Sequence, residues 1–428
     1  MPVVSNIKLK LLGVAMLNFC IRAVCLLTAS LMATHALSQD MRGWSDKTVC
    51  RLLLSKPDEL AYLEEVTSRG LGCGSAQKNV SKPLLPFKYI QGVSEDQWDL
   101  IERMGDPQNC RERVRSIGIK GKSITVTPDT FVTSEKGTIK VGSMQRTFLS
   151  YDTIIFSKGI YKIDYPIQVI GNTMIGEEGV IIDASLSKIG IVINNGGVVS
   201  NVEVINAGDN GVKLFTNSVL HNSRIGNTGV FNPTSRDGSG VKLSTHNTHN
   251  VCIVSVESYN GYNETSNSGP GSVTAKGGNA DGFKVSFGSH NVTLIDAHGH
   301  HNSDDGFDFW KAGTGMDITN KDIAFSIYYS SSVRNGKHPT RSNGDGAGFK
   351  FGSSDNRNKP NKDRGQRLIH GSAACHNKLS GFDRNKSPLK VQGSNLDSVG
   401  NKKNYISVYN SFSTKDPFRL RCSMFPSR

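Results

Sequence analysis

From about residue 122 the chain is written in short apolar runs separated by Asn, Gly and Ser. Runs such as Val251-Cys252-Ile253-Val254 and Val292-Thr293-Leu294-Ile295 are rich in β-branched residues and too short for helices, so each predicts a strand. A second pattern recurs in fixed columns. Asn210-Gly211-Val212-Lys213-Leu214 returns as Ser239-Gly240-Val241-Lys242-Leu243 and as Asp281-Gly282-Phe283-Lys284-Val285. It returns again as Asp305-Gly306-Phe307-Asp308-Phe309, Ala347-Gly348-Phe349-Lys350-Phe351 and Ser380-Gly381-Phe382-Asp383-Arg384. The glycines stand 29, 42, 24, 42 and 33 residues apart. The shortest interval suits one coil of a β-solenoid, and the longer ones suit a coil carrying a loop, as at 263–280 and 336–346. Asn227, Asn260, Asn302, Asn335 and Asn377 precede these turns. Asparagine tolerates left-handed corners, and stacked amides can bond between coils. A single coil cannot bury its apolar face, whereas a stack can. The expectation is an all-β parallel solenoid; a β-sandwich with similar turns would not repeat in fixed columns.

Residues 39–120 differ. Leu52, Leu53, Leu60, Leu63 and Val66 have helical spacing between Ser45 and Cys73, and a second helical stretch covers about 95–115. These predict a small helical module, with Cys50 and Cys73 placed to close it by a disulfide. Before it, Lys8 and Lys10, the apolar stretch Ala23–Ala33 and Ala36-Leu37-Ser38 read as an export signal over 1–38. A membrane anchor is the alternative, but the uninterrupted apolar run is shorter than the ~20 residues a spanning helix needs. The expected organisation is thus signal 1–38, helical module 39–120, solenoid 121–414 and tail 415–428, secreted to the periplasm or beyond.

Charge narrows the partners. The formal net charge of +13 falls to +10 once Lys8, Lys10 and Arg22 leave with the signal. Such a surface favours anionic partners. No arginine-rich run or nucleic-acid motif is present, which leaves an acidic polysaccharide ahead of nucleic acid, with no membrane contact after signal cleavage and a monomeric chain. Six cysteines remain after residue 38, an even number that permits disulfides without fixing their pairing. Cys252 and Cys375 lie in strand runs and read as small core residues.

Neighbouring coils lie about 4.8 Å apart, so residues in one column touch. One column reads Asn210, Ser239, Asp281, Asp305, Ala347, Ser380; the column three residues on reads Lys213, Lys242, Lys284, Asp308, Lys350, Asp383. Asp281, Asp304, Asp305 and Asp308 should therefore converge on two adjacent coils, beside Lys350. Like charges ~5 Å apart repel by roughly 3 kcal/mol per pair at an effective dielectric near 20. Clustered carboxylates without Cys imply calcium ahead of zinc. The plainer alternative is that aspartates before glycine cap turns.

Asn279-Ala280-Asp281-Gly282-Phe283, Asn302-Ser303-Asp304-Asp305-Gly306-Phe307-Asp308 and Gly346-Ala347-Gly348-Phe349-Lys350-Phe351-Gly352 resemble, in order and spacing, the core motifs of the family 9 polysaccharide lyases, the pectate lyase type. The resemblance covers roughly 125–414 and omits the helical module. It implies a right-handed parallel β-helix and calcium-dependent β-elimination of a uronate polymer such as pectate. It also implies calcium binding by Asp281, Asp304, Asp305 and Asp308, with Lys350 as the Brønsted base. Lys284 stands where that family often has a small residue and competes for the role of base. Two other classes fit parts of the pattern. A polygalacturonase-like hydrolase would use the paired aspartates, but His298-Gly299-His300 precedes the pair and no Arg-Ile-Lys follows. A non-catalytic polysaccharide-binding solenoid leaves the lysine among aspartates unexplained. His298, His300 and His301 suggest zinc, but only 298 and 300 share a strand face, no third ligand is evident, and solvent-facing positions are the expectation.

Overall fold

The computed structural model describes residues 89–425 apart from 106–107, 129–137, 140–147, 231–236, 244–247, 264–277, 286–287, 311, 314–318, 320–321, 337–343, 353–364, 386, 388–389, 407 and 412–415. The expected signal, the helix over 45–73 and the Cys50–Cys73 pair lie outside the described residues. The chain from Lys88 onward forms one compact unit.

That unit is a parallel β-helix. Nine short strands, from Ile167–Ile170 to Lys403–Ile406, stack into one sheet in parallel register. The other strands form two further walls, which merge because Val219–Gly226, His249–Tyr259 and His290–His300 each run through a corner between them. The corners are left-handed backbone positions stacked in columns. Asn222, Ser255, Asp296 and Tyr329 occupy one, with φ of 41°, 54°, 52° and 49°. Asn206, Asn227, Asn260, His301, Arg334 and His376 occupy the next. The asparagines that sequence groups together thus divide. Asn227 and Asn260 turn corners, whereas Asn302, Asn335 and Asn377 stand one residue further on. They form a buried amide ladder, with Asn302 Nδ2 donating to Asn335 Oδ1 and Asn335 Nδ2 to Asn377 Oδ1, each at 3.0 Å.

Alternation along the nine-stranded sheet sends one column inward and the next outward. The inward column reads Ile167, Ile191, Val212 and Val241, then Phe283, Phe307, Phe349 and Phe382. The phenylalanine rings stack at centroid distances of 4.7, 4.4 and 5.0 Å. The adjacent outward column carries the lysines and aspartates noted above, so one backbone register spaces both the rings and the charged groups.

The outer face of the merged sheet is covered. Helix α1 (Glu95–Met104) begins with a Ser94/Gln97 capping box and ends at Gly105 in the left-handed region; it buries Trp98 and Ile101. Helix α2 (Cys110–Arg115) follows. Trp98, Ile101 and Cys110 pack on Val219, Cys252, Val254, Ile295, Tyr328 and Tyr329. Near the C-terminus, Leu420, Cys422 and Phe425 pack on Val333, Ala373 and Cys375. Two disulfides fasten these covers, Cys110–Cys252 and Cys375–Cys422, with Cα separations of 5.7 and 5.5 Å. Cys252 and Cys375 are therefore crosslinks and not free core thiols. Their strands are buried on both faces, so apolar surroundings gave no sign of a partner on a distant segment.

The histidines need the same correction. His298 is fully buried, with Nε2 2.7 Å from Asp296 Oδ1 and Nδ1 2.8 Å from Ser331 Oγ. His300 Nε2 lies 2.7 Å from Glu257 Oε1 beneath the ring of Tyr89, whose centroid is 4.3 Å away. Asp296 also accepts the Gly92 amide at 2.9 Å, and His370 Nε2 meets Asp416 Oδ2 at 2.8 Å. These pairs bind the N- and C-terminal covering segments to the sheet.

Two expected outcomes follow from this packing. The Cys110–Cys252 bond spans 142 residues, and replacing both cysteines by serine should cost about 2–4 kcal/mol of stability, read by denaturant unfolding. Burial lowers the His221 pKa from 6.5 to about 4. Between those values the unfolded chain binds a proton that the folded chain refuses, so this contribution is present above pH 6.5 and is lost as pH falls toward 4. His221→Leu should remove that part of the acid dependence, so its unfolding midpoint should change less than that of the wild type between pH 7 and 4.5; equal slopes would refute the assignment.

Candidate metal and catalytic site

The site is built where the chain enters three successive strands of the nine-stranded sheet. Each entry needs a glycine, but none of Gly282, Gly306 and Gly348 is in the left-handed region. The reason is close approach. A Cβ on Gly282 would lie 2.6 Å from Gly306 O and 2.8 Å from Asn302 Nδ2; one on Gly306 would lie 2.1 Å from Ser332 Oγ. Neighbouring coils thus meet backbone to backbone against the amide ladder, and the residue before each glycine is pinned. Asp281 and Asp305 occupy that position.

Asp281, Asp304 and Asp305 are buried, and one carboxylate oxygen from each lies within 4.8 Å of the others. Backbone amides orient them. Asp281 Oδ1 accepts the Asp305 amide at 3.2 Å, Asp304 Oδ1 the Asp345 amide at 3.0 Å, and Asp305 Oδ1 the Ala347 amide at 2.6 Å. Asp308 is buried but stands outside this close trio. The register sets it between Lys284 and Lys350 on the outward column. Lys350 donates to Asp305 Oδ2 at 2.8 Å and lies 3.8 Å from Asp345 Oδ2. Lys284 lies 3.2 Å from Asp281 Oδ2 and 3.9 Å from Asp237 Oδ1, and also donates to Asn279 Oδ1.

Asp345 and Asp237 are members of this charge cluster that column reasoning misses. Asp345 is half exposed, in Gly344-Asp345-Gly346 beside the Ala347 column, where alignment ends the carboxylate series. The available signal was an Asp-Gly step five residues before Lys350. Asp237 lies in the loop entering the Lys242 strand and pairs with that lysine.

The electrostatics are frustrated. Burial, and then the charges of Asp345 and Asp281, push the Asp304 pKa well above the usual carboxylate range. Burial and Asp345 do the same to Asp305, and burial raises Asp308 to about 6. Burial works against charge on Lys350, but Asp305, Asp308 and Asp345 outweigh it and hold the ammonium on, well above its ordinary pKa. Asp281 Oδ2 and Asp308 Oδ1 are buried without an aligned hydrogen bond, Lys284 being near the first but poorly directed. Unsatisfied buried carboxylate oxygens in an all-oxygen donor set fit a hard divalent cation, and neither thiolate nor imidazole is among the donors.

The chain matches the family model described as Pel9A-like, right-handed beta helix region, over residues 128–415. It belongs to that family. Among solved structures, the Pel9A-like fold here is similar to pectate lyase Pel9A at 18% identity over 71% of this chain and 80% of that one, with a TM-score of 0.50. A rhamnogalacturonan lyase aligns at 18% identity over 65% and 72% of the two chains, with a TM-score of 0.42. An alginate lyase from Paenibacillus sp. str. FPU-7 aligns at 14% identity over 68% and 97%, with a TM-score of 0.34. No match was found among curated protein sequences. The family match and the likeness to pectate lyase Pel9A establish the right-handed parallel β-helix of this chain.

A divalent cation is expected to stabilise the folded protein, by about 2.7 kcal/mol at one hundred times its Kd. Asp304→Asn should abolish that gain while leaving the metal-free unfolding midpoint unchanged or higher, because it removes a carboxylate from a crowded buried cluster. Thermal unfolding with and without calcium, magnesium or manganese chloride checks this; a full cation response in Asp304→Asn would remove Asp304 from the ligand set.

Proposed function

We propose that this protein is a secreted polysaccharide lyase that cleaves a uronate polymer of the pectate type by β-elimination. The observation that carries the reading is the amine of Lys350, bonded to Asp305 inside a nest of buried carboxylates, two of whose oxygens lack an aligned hydrogen bond. A binding module has no need of so costly an arrangement. Asp281, Asp304 and Asp305, with Asp308 at the edge, are the residues that would hold calcium. Bound there, calcium would supply the positive charge that neutralises a uronate carboxylate and so acidifies the adjacent C5–H.

Lys350 then serves as the base. Its amine takes the C5 proton, the electron pair left at C5 becomes the C4–C5 double bond, and the C4–O bond breaks with oxygen leaving on the departing chain. A lysine does this only when neutral. With Asp305 and Asp308 engaged by a cation, their hold on the ammonium weakens and burial favours the free amine. Lys284 is the poorer candidate because Asp281, Asp237 and Asn279 all engage it and its side chain is 8% exposed against 18% for Lys350. Export is supported by the leader pattern of residues 1–38 and by two disulfides, which suit an oxidising compartment. Among the described residues no helix is long and apolar enough to cross a membrane.

The test is incubation of the purified protein with a panel of uronate polymers, with and without chelator. Elimination gives an unsaturated product that absorbs in the ultraviolet, whereas hydrolysis by paired carboxyls gives new reducing ends without that absorbance. Activity should require calcium and rise on the alkaline side. Lys350→Ala should lower turnover by about 10²–10⁴-fold with fold and calcium response intact, Lys350→Arg should retain little activity, and Lys284→Ala should be milder. Near-normal turnover in Lys350→Ala with loss in Lys284→Ala would move the base to the other side of Asp308.

A further inference from the structure

A groove lies away from the carboxylate cluster, at a third left-handed corner, where the chain leaves the first strands of the nine-stranded sheet. Register stacks Gly171, Gly196, Asn217, Asn250 and Asn291 there, with φ of 69°, 84°, 61°, 57° and 52°. The asparagines form an outward amide ladder. Asn291 Nδ2 donates to Asn250 Oδ1 at 3.4 Å, and Asn250 Nδ2 to Asn217 Oδ1 at 3.1 Å. Each donor thus serves the preceding coil. The ladder stops at Asn217, because the next two coils carry glycine. Among the described residues Asn217 Nδ2 has no acceptor, and by the direction of the ladder it faces the Gly196 coil. A Cβ on Gly196 would meet nothing within 4 Å, and one on Gly171 only Asn195 O at 3.6 Å. Asparagine holds the same left-handed corner on the later coils, so the two missing side chains leave open space that the fold could have filled.

That space is a groove of about 740 Å³, within the size range of small-molecule sites. Its lining includes the outward column Thr173, Val198 and Val219, which supplies a narrow apolar strip. The chain running from α2 toward Gly121 lines it as well, with Asp152. Arg113 fastens α2 to the corner, donating to the carbonyls of Asn217 at 2.6 Å and Asn250 at 3.0 Å. Arg113 is thereby engaged, and the other charged groups of the lining are Lys120 and Asp152, of opposite sign. Asp152 spends one oxygen on the Lys122 amide at 2.8 Å, and the Ser116 hydroxyl donates to Arg113 O, which leaves it free to accept. Amide, hydroxyl, ammonium and carboxylate surround an apolar strip without a surplus of either charge. An anion would meet Asp152, and a cation would meet Lys120 and Arg113. An uncharged ligand carrying many hydroxyls meets a partner of the right kind at every side.

We infer that this groove is a second, non-catalytic binding site for a neutral saccharide. From Gly171 to Asn250 it crosses three coil steps, about 14 Å, room for about two or three linked sugar units. The free Asn217 amide and Lys120 donate to sugar hydroxyls, Asp152 and Ser116 accept from them, and a C–H face of a ring lies on Val198 and Thr173. The site shares no residue with the carboxylate cluster. That cluster stands where the chain enters the strands Phe283–Val285, Phe307–Asp308 and Phe349–Lys350, whereas the groove lies past the far ends of Ile167–Ile170, Ile189–Asn194 and Asn210–Leu214 on earlier coils. Binding there needs no metal and does not depend on the elimination chemistry proposed above. Its consequence is a tether: the chain holds an uncharged polymer, or an uncharged branch of a charged one, while the cluster remains free.

The test is calorimetric titration of the full chain, in chelator, with hexasaccharides of galactose, arabinose, xylose and glucose polymers and with a uronate hexasaccharide. At least one neutral oligomer should bind, with little dependence on salt, and more tightly than the uronate. Asn217→Gly keeps a residue suited to the left-handed corner and removes the free amide, so it should weaken that binding about tenfold, the effect of one or two neutral hydrogen bonds. Ser116→Trp, which fills the groove, should weaken it further, and Lys120→Ala, at an exposed position, should weaken it severalfold without risk to the fold. Thermal unfolding midpoints show that each variant is folded, and Lys350→Ala should bind the neutral oligomer as the wild type does. Failure of every neutral oligomer to bind, binding that none of the three groove variants weakens, or tighter and salt-sensitive binding of the uronate in chelator would overturn the site. Elimination assays keep the two ideas apart. Groove-dependent binding without any unsaturated product from uronate polymers sinks the lyase reading and leaves this site, and elimination without neutral binding does the reverse.

Discussion

The hydrogen-bonded stacking of one coil on the next, at about 4.8 Å, is the constraint from which the rest of this structure follows. It brings equivalent residues of successive coils into contact whether or not they attract. Where they attract, the stack gains. Phe283, Phe307, Phe349 and Phe382 become a continuous column of rings, and Asn302, Asn335 and Asn377 become a ladder in which each amide donates to the next. Where they repel, the same geometry concentrates charge that a globular surface would disperse. The lysine column and the carboxylate cluster are both products of that imposed proximity.

Glycine and asparagine divide the work of making the coils fit. Asparagine dominates several left-handed corners, where its short polar side chain tolerates the backbone. The recurring glycines do something else: they remove a Cβ that would strike the neighbouring coil or the amide ladder. Asp281 and Asp305 are therefore held next to close backbone contacts between coils. Rigid placement keeps four buried carboxylates and two lysines together despite their unfavourable self-energy. The cost shows in raised carboxyl pKa values and in oxygens without an aligned hydrogen bond.

The solenoid has two different outer faces. One is the charged column of the nine-stranded wall. The other is roofed by α1, α2 and the C-terminal segment; one disulfide ties down α2 and another the C-terminal segment, and Asp–His pairs add to this, Asp296 accepting the Gly92 amide and Asp416 lying on the C-terminal segment. Roofing removes the polar alternation that would mark an exposed wall. His249–Tyr259 and His290–His300 are accordingly buried along nearly their whole length, with Glu257, His298 and His300 sealed into hydrogen-bonded pairs.

Sequence alone determined the solenoid and the alignment of its columns, because a parallel stack repeats its register in the chain as recurring residues at readable intervals. That is why Lys284, Asp308 and Lys350 could be set side by side before any coordinates, and why Asp281 and Asp305 could be placed one above the other. It could not determine what lies across from a column on a segment without the repeat. Cys252 and Cys375 meet Cys110 and Cys422, and His300 meets Tyr89, only through contacts between distant parts of the chain. Asp345 and Asp237 reach the cluster from loops that break the period, so no column contains them. Even Asp308, correctly aligned, proved to stand outside the closest trio, since register fixes which coil a residue is on but not how near its side chain comes. Periodic backbone pairing is local information copied along the chain; loop closure and burial are decided by the whole fold.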